Sequence, residues 1–175
     1  MHRAIASLLV FFLALGLSGP GRAGGLAALH PDGGFVDARL GQPLASIAGL
    51  RLIGSDAAAG TETYIRRSDD LRVGGVEVDE VTYSFYEGRL YFVSIQMTGS
   101  DDARGVFSAL EQTFGEGIAT GVHPNEHIWP GGGVFVLYDF DAKTGRGMAA
   151  MTSTPIHAQM RLDRNTVSSA TSSSP

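Results

Sequence analysis

Cysteine is absent from the 175 residues of this chain, and the absence excludes several kinds of site at once. Without a thiol the chain cannot form disulfide bonds, thiolate metal sites or a cysteine nucleophile, and it cannot carry a lipid on an N-terminal cysteine. A chain of this length can nevertheless bury enough apolar surface to fold without cross-links. The sequence therefore predicts a fold that is stabilised by packing alone.

Positive charge is also scarce, since Lys143 is the only lysine and 13 basic residues stand against 18 acidic ones. Nucleic acids and anionic membranes bind proteins through clustered lysines and arginines. We therefore expect no nucleic-acid partner. The sequence also has no phosphate-binding glycine loop, dinucleotide fingerprint or serine nucleophile motif, so we expect no cofactor and favour a protein that is not an enzyme.

Long apolar runs are missing as well, because the longest one, Ile5–Leu17, has 13 residues. As a helix it would cover about 20 Å of a hydrocarbon layer that is about 30 Å thick. A basic start precedes it and small residues around Ala23 follow it, as in a secretory signal peptide. We expect removal of residues 1–23 near Ala23, which leaves a periplasmic or secreted chain with a net charge near −7 and no stable membrane anchor.

Composition divides the rest of the chain into three parts. Residues 24–34 are rich in glycine and alanine and are expected to form a linker. Residues 35–163 are expected to form a single α+β domain. Residues 164–175 end in small polar residues and are expected to be a disordered tail.

Apolar periodicity predicts two helices and an antiparallel sheet within the domain. A short helix begins at Pro43, and a longer one begins after Ser100 and ends before Gly115. We expect both helices to pack on one face of the sheet, with residues 61–67 as an edge strand. A helix followed by three strands occurs twice in this order, which suggests a tandem α-β-β-β duplication.

The clearest strand pair is a hairpin in residues 76–97, where two alternating apolar segments flank a turn. We expect a three-residue turn with Gly88 in the left-handed conformation, because this turn places the apolar residues of both strands on one face. The expected cross-strand pairs are Phe85 with Arg89, Tyr83 with Tyr91, and Val81 with Val93.

The second half of the chain contains a pattern known from other exported proteins. Its residues are Leu110, Phe114-Gly115, Trp129, the apolar strand Val134–Tyr138 and the turn Gly145–Gly147. The pattern resembles the small periplasmic α+β modules of the outer-membrane assembly lipoprotein BamE and of the β-lactamase inhibitor protein, over less than half of the mature chain. The resemblance implies a non-enzymatic, protein-binding module with helices on one face of an antiparallel sheet. It implies no membrane anchor here, because BamE-like proteins are anchored through a cysteine that this chain lacks.

Four aromatic residues are the candidate binding residues, namely Tyr64, Tyr86, Tyr91 and Trp129. Exposed together on the sheet face that the helices leave open, they would form a contact surface for another envelope protein. The alternative is that they belong to the core, where aromatic residues bury most of their area. The sequence leaves both interpretations open.

A candidate metal site lies in residues 123–127, which match the HxxEH pattern of zinc peptidases. His123 and His127 can share a metal ion at this spacing only on a helix, with Glu126 as the general base. Pro124 and the nearby glycines argue against a helix, and no later glutamate could supply a third ligand.

Our first hypothesis is therefore an exported, soluble, non-enzymatic module that binds a protein or another envelope component. The alternative is a small metal-dependent hydrolase that uses His123, Glu126 and His127. A small-ligand pocket between a helix and the sheet is a third possibility.

Overall fold

A computed structural model describes residues 29–66 and 71–171, with side chains as far as residue 166. Its strands are β1 (Gly34–Phe35), β2 (Ala38–Arg39), β3 (Leu50–Asp56), β4 (Thr61–Arg66), β5 (Arg72–Val73), β6 (Val76–Glu77), β7 (Glu80–Tyr86), β8 (Arg89–Thr98), β9 (Ile118–Ala119), β10 (His127–Pro130), β11 (Val134–Asp141) and β12 (Arg146–Ser153). Its helices are a 3₁₀ turn (Leu44–Ser46), α1 (Ser100–Phe114) and α2 (Thr154–Thr171). The predicted signal peptide lies outside the described residues.

Eight strands form one antiparallel sheet in the order β3-β4-β7-β8-β12-β11-β10-β9. The first four follow the chain from one edge to the centre, and the last four follow it from the other edge. β8 and β12 meet in the middle, where Ile95 pairs with Ala149. The pairs β1–β2 and β5–β6 form two separate small sheets. An antiparallel sheet with two helices confirms the expected α+β class.

Strand alternation gives this sheet an apolar inner face, on which α1 packs. The residues that the main sheet contributes to the inner-face core are Val81, Tyr83, Phe85, Leu90, Val93, Ile95, Met97, Trp129, Val134, Val136, Tyr138, Ala149 and Met151. α1 adds Ala103, Val106, Ala109 and Leu110, which recur at helical spacing. Two aspartates occupy its first turn, where the helix dipole favours negative charge.

Two glycines allow α1 to approach the β5–β6 hairpin closely. A Cβ on Gly105 of α1 would lie 2.5 Å from Val76 Cγ1, and a Cβ on Gly74 would lie 2.5 Å from the Gly105 carbonyl oxygen. Gly74 also has a φ of +60°, which few other residues adopt. The hairpin therefore fixes where α1 sits along the inner face.

The turn between β7 and β8 has two residues rather than the three that we expected. Tyr86 pairs with Arg89, which leaves Glu87 and Gly88 as the turn. Both have positive φ values, 46° and 71°, as a hairpin turn of the mirror-image type requires. All three predicted cross-strand pairs are therefore wrong. Phe85 pairs with Leu90, Tyr83 with Val93, and Val81 with Ile95.

A β-bulge inside β8 follows this turn and changes which side chains of β8 face the core. Phe85 pairs with Leu90, but the next pair is Ser84 with Phe92, so that Tyr91 is an extra residue. Beyond the bulge, apolar residues of both strands face the inner side. The bulge therefore places the apolar residues of both strands on one face, which is the effect that we expected from a three-residue turn.

α2 lies on the opposite, outer face of the sheet. Ile156 and Met160 of α2 pack with Tyr86 and Tyr91 in a cluster separate from the main core. Tyr86 follows Phe85 in an extended strand and therefore projects to the outer face. The 3₁₀ turn packs on the same core as α1, so the expectation of helices on one face holds for these two and not for α2. Within the described residues, no helix has both the length and the apolar character for crossing a bilayer.

Three segment boundaries differ from the expectation. α2 extends through residues 164–171, which were expected to be disordered, whereas residues 172–175 lie outside the described part. β3 is the edge strand, since β4 pairs with β3 on one side and with β7 on the other. Leu29 in the expected linker is buried and bridges to Phe35, so the end of this segment packs into the fold.

Candidate metal centre

The register of β10 and β11 brings two carboxylates together. His127 pairs with Tyr138 in this ladder, and one step further Glu126 stands beside Asp139. Asp139 projects to the outer face, because side chains alternate along β11 and its neighbour Tyr138 belongs to the inner-face core. Glu126 lies beside Asp139. His123 lies at the start of the same turn, where the Glu126 N–H donates to the His123 carbonyl oxygen at 3.2 Å. Three potential metal ligands therefore converge at one end of the β10–β11 hairpin.

The distances in this cluster are close to those of a coordination sphere. His123 Nδ1 lies 3.2 Å from Asp139 Oδ2 and 3.5 Å from Glu126 Oε2. Ligand atoms of all three residues lie within 4.8 Å of one another. A metal ion about 2.1 Å from each ligand atom would set these atoms about 3.0–3.4 Å apart. The two distances from His123 Nδ1 lie in or near this range, so the three side chains would have to move only slightly to coordinate an ion.

Neighbouring groups orient the loop that carries His123 and Glu126. Thr120 Oγ1 donates a hydrogen bond to Glu126 Oε1, which leaves Oε2 directed towards His123. Asn125 Nδ2 donates to the Phe140 carbonyl oxygen at 3.0 Å and ties the loop to β11. The carboxylate of Glu126 is therefore held in place by the protein itself.

The cluster is accessible from solvent. The side chains of His123, Glu126 and Asp139 are 55%, 16% and 32% exposed, respectively. A cavity of about 460 Å³ borders His123 and Asp139. In the described part of the chain, His123 is the ion-pair partner of both carboxylates. An ion could therefore enter this site and would meet two acidic groups.

His127 does not join the cluster, so the pair of His123 and His127 that the alternative hypothesis requires does not form. The ring of His127 lies on the inner face, 4.7 Å from the ring of Phe107, and its Nδ1 is 3.4 Å from the Asn125 carbonyl oxygen. The segment is a turn followed by a strand rather than a helix, and this places His127 and Glu126 on opposite faces. Glu126 consequently lies beside His123 and Asp139 and away from the His127 ring.

Two of the aromatic candidates, Tyr64 and Trp129, belong to the inner-face core. Trp129 is buried, and its Nε1 donates to the Gly115 carbonyl oxygen at 2.7 Å. Tyr64 packs edge to face on Phe85, with 5.4 Å between the ring centroids. Burial raises the pKa of Tyr64 above its ordinary value.

The other two, Tyr86 and Tyr91, pack against α2 on the outer face. Tyr86 is buried, and its hydroxyl donates to Asp163 Oδ2 at 2.6 Å, which raises the pKa of Tyr86 to about 12. Tyr91 is half-buried beside it, and burial raises the pKa of Tyr91. The four aromatic residues thus lie on two faces and do not form one exposed surface.

Asp139 is the third residue of the cluster, and the sequence alone did not associate it with His123 and Glu126. The sequence signal for this association is the glycine-rich turn at residues 131–133, which joins β10 to β11. Pairing the two strands outwards from that turn places Glu126 opposite Asp139. The HxxEH pattern drew attention to His127 instead, because sequence spacing alone does not show on which face a side chain lies.

Comparison of the chain with protein-family models, with curated proteins and with solved structures finds no match. The resemblance to the BamE and β-lactamase inhibitor modules therefore stays a prediction.

Proposed function

We propose that this chain is an exported protein that binds a divalent transition-metal ion through His123, Glu126 and Asp139. The observation that carries the proposal is the convergence of one imidazole nitrogen and two carboxylate oxygens within 4.8 Å. Such a ligand set suits Zn²⁺, Mn²⁺ or Fe²⁺, whereas Cu⁺ prefers sulfur. The remaining coordination positions would hold water or a second ligand. This proposal departs from our expectation of no cofactor.

The charges of the cluster support a cation at this position. Glu126 and Asp139 stand side by side on adjacent backbone segments, and like charges in this arrangement destabilise a sheet. His123 can offset at most one of the two negative charges, whereas a divalent ion offsets both. Metal binding would therefore relieve a repulsion that is built into the apo protein.

Metal titration of the full chain tests this proposal. After removal of metal with EDTA and dialysis, calorimetric titration with Zn²⁺ and with Mn²⁺ should show one site per chain. Asp139→Asn and His123→Gln should each lower the affinity by at least about 100-fold, since loss of a residue that merely orients a ligand already costs 10–100-fold. Wild-type protein that shows no saturable site would refute the proposal.

Two control variants separate this site from the alternatives. Asp141→Asn should leave the affinity unchanged, because the Asp141 carboxylate already accepts hydrogen bonds from the Lys143 N–H and Thr144 Oγ1. His127→Gln should also leave it unchanged. A loss of binding in His127→Gln would favour the hydrolase alternative, and equal losses at Asp139 and Asp141 would indicate non-specific binding to acidic groups.

Export is the second part of the proposal, and its support is the pattern of residues 1–23. The measurement is mass spectrometry of the N-terminus of protein recovered from the periplasmic fraction. We expect a chain that begins near Gly24. Recovery of the uncleaved chain from the cytoplasm alone would contradict export.

A second candidate function is binding of an extended segment of another envelope protein along β3. This strand is an edge of the sheet, and its Leu52 and Ile53 are 47% and 46% exposed. An added strand gains main-chain hydrogen bonds at such an edge. A photo-crosslinking residue at Ile53 should capture a partner in cells, whereas one at the exposed loop residue Val122 should not. Equal capture at both positions would contradict this function.

We further propose that the fold arose by tandem duplication of an α-β-β-β unit. The mirrored strand order supports this idea, since β4-β7-β8 and β10-β11-β12 each run from the outside of the sheet to its centre. The 3₁₀ turn precedes the first set and α1 precedes the second, and both pack on the inner-face core. Superposition of the two units on each other would test it, and mismatched faces would oppose it.

A further inference from the structure

A cavity of about 670 Å³ lies at the other end of the β10–β11 hairpin from the candidate metal centre. The first turn of α2, the glycine loop of residues 131–133 and the β7–β8 turn form its walls. A cavity of this volume can hold a small organic ligand. The polar groups that line the cavity indicate the chemical class of this ligand.

Ser153 is the first polar group that points to a ligand. It lines the cavity and is only 4% exposed. Among the residues that the structure describes, none makes a hydrogen bond with its hydroxyl. No side-chain nitrogen or oxygen atom of the described residues is both fully buried and without a hydrogen-bond partner, so the Ser153 hydroxyl is accessible from the cavity that it lines. The hydroxyl of Ser153 is therefore available to a bound group in this cavity.

The N-terminus of α2, directly after Ser153, adds a donor to the same place. First-turn amides have no acceptor within their own helix. The Thr154 N–H donates to the Gly133 carbonyl oxygen at 3.1 Å, and Pro155 has no N–H. This leaves the amide of Ile156, which also lines the cavity, as the first-turn donor of α2. The helix dipole favours a negative group at this position.

Three charged side chains complete the lining, namely Arg89, Asp32 and Glu87. Within the described residues, none of the three has an ion-pair partner. The side chain of Arg89 reaches the cavity wall, because its Nη2 lies 3.9 Å from the position that a Cβ on Gly41, another lining residue, would occupy. The wall of the cavity thus combines the N-terminus of α2 with one positive and two negative residues.

We propose that this cavity binds a zwitterionic ligand, either a free amino acid or a short peptide, through its carboxylate. The carboxylate accepts hydrogen bonds from Ser153 Oγ, the Ile156 amide and the Arg89 guanidinium. The ammonium group of the ligand is attracted by Asp32 and Glu87. These two acids disfavour a dianion such as phosphate, because one arginine does not offset the repulsion.

A titration monitored by NMR of the ¹⁵N-labelled, metal-free full chain tests the proposal. Triglycine should shift the amide resonances of Ser153 and Ile156 in a saturable way. Triglycine amide, which lacks the carboxylate, and N-acetyl-triglycine, which lacks the ammonium group, should each bind at least about tenfold more weakly, because each loses charge-assisted hydrogen bonds. Glycine as a further probe distinguishes a free amino acid from a peptide by its relative affinity.

Variants assign the contacts. Arg89→Gln and Ser153→Ala should each lower the affinity for triglycine by about tenfold, on the same reasoning. Arg146→Gln, at the other end of β12, is the matched control and should leave it unchanged. Equal binding of triglycine and its amide, tighter binding of inorganic phosphate, or equal effects at Arg89 and Arg146 would overturn the proposal. EDTA is present throughout, so the result does not depend on the metal centre.

Discussion

The two faces of the eight-stranded sheet differ in what they bury. The inner face, covered by α1, carries the continuous apolar core, whereas the outer face carries small and polar residues such as Ser84 and Ser94 and a small cluster under α2. His127 packs on the inner face, and its neighbour Glu126 belongs to the candidate metal centre on the outer face. Two consecutive residues can therefore have different roles, since His127 packs in the core and we propose that Glu126 binds an ion.

The largest effect is expected from the inner face. Leu110 of α1 is fully buried, and Leu110→Ala should lower the free energy of unfolding by about 2–5 kcal/mol through lost burial and a residual cavity. Chemical denaturation measures this change. Leu162→Ala on the exposed side of α2 is the control and should stay within about 0.5 kcal/mol. Similar losses at both positions would mean that burial under α1 is not what makes Leu110 important for stability.

A smaller effect is expected from the cluster under α2. Met160→Ala should cost about 1–2 kcal/mol, less than is typical of a large core, because few apolar side chains surround this position. The loss should be local. Amide hydrogen exchange should accelerate in α2 while β8 stays protected, and equal acceleration in both would show that the outer cluster is part of one cooperative core.

Much of the inner face could be predicted from sequence, and little of the outer face could. The apolar positions of α1 recur at helical spacing, so that its core residues follow from local pattern. The bulge at Tyr91 could not be foreseen, because two turn types with different bulge positions place the same apolar residues on the same face. The cluster of His123 and Asp139 depends on contact between strands that are distant in sequence, and α2 became visible only with its packing against Tyr86.

The pH dependence of stability offers a third test, with a smaller effect since it involves a single hydrogen bond. The bond to Asp163 raises the pKa of Tyr86 to about 12 from an ordinary value near 10. Between these values the folded protein keeps a proton that the unfolded chain has lost, so this contribution to stability is complete below pH 10 and falls as the pH rises through that window.

Tyr86→Phe isolates this contribution from that of the other tyrosines, including Tyr138, whose pKa burial also raises to about 12. The difference in unfolding free energy between wild type and variant should be constant below pH 10 and should shrink from pH 10 to pH 12. A difference that does not change over this range would show that the contact with Asp163 does not hold α2 on the outer face.

The smallest effect on stability is expected from Asp139→Asn in the absence of metal, and its sign is informative. Removing one of two adjacent negative charges should stabilise the protein by about 0.2–1 kcal/mol, offset in part by loss of the 3.2 Å contact with His123. With metal at 100 times the dissociation constant, the wild type should gain about 2.7 kcal/mol and the variant little, which reverses their order. Thermal unfolding with and without EDTA measures both states. A large loss of stability in the metal-free variant would instead mean that Asp139 supports the fold. The outer face would then contribute to stability at the same position where we propose that it binds an ion.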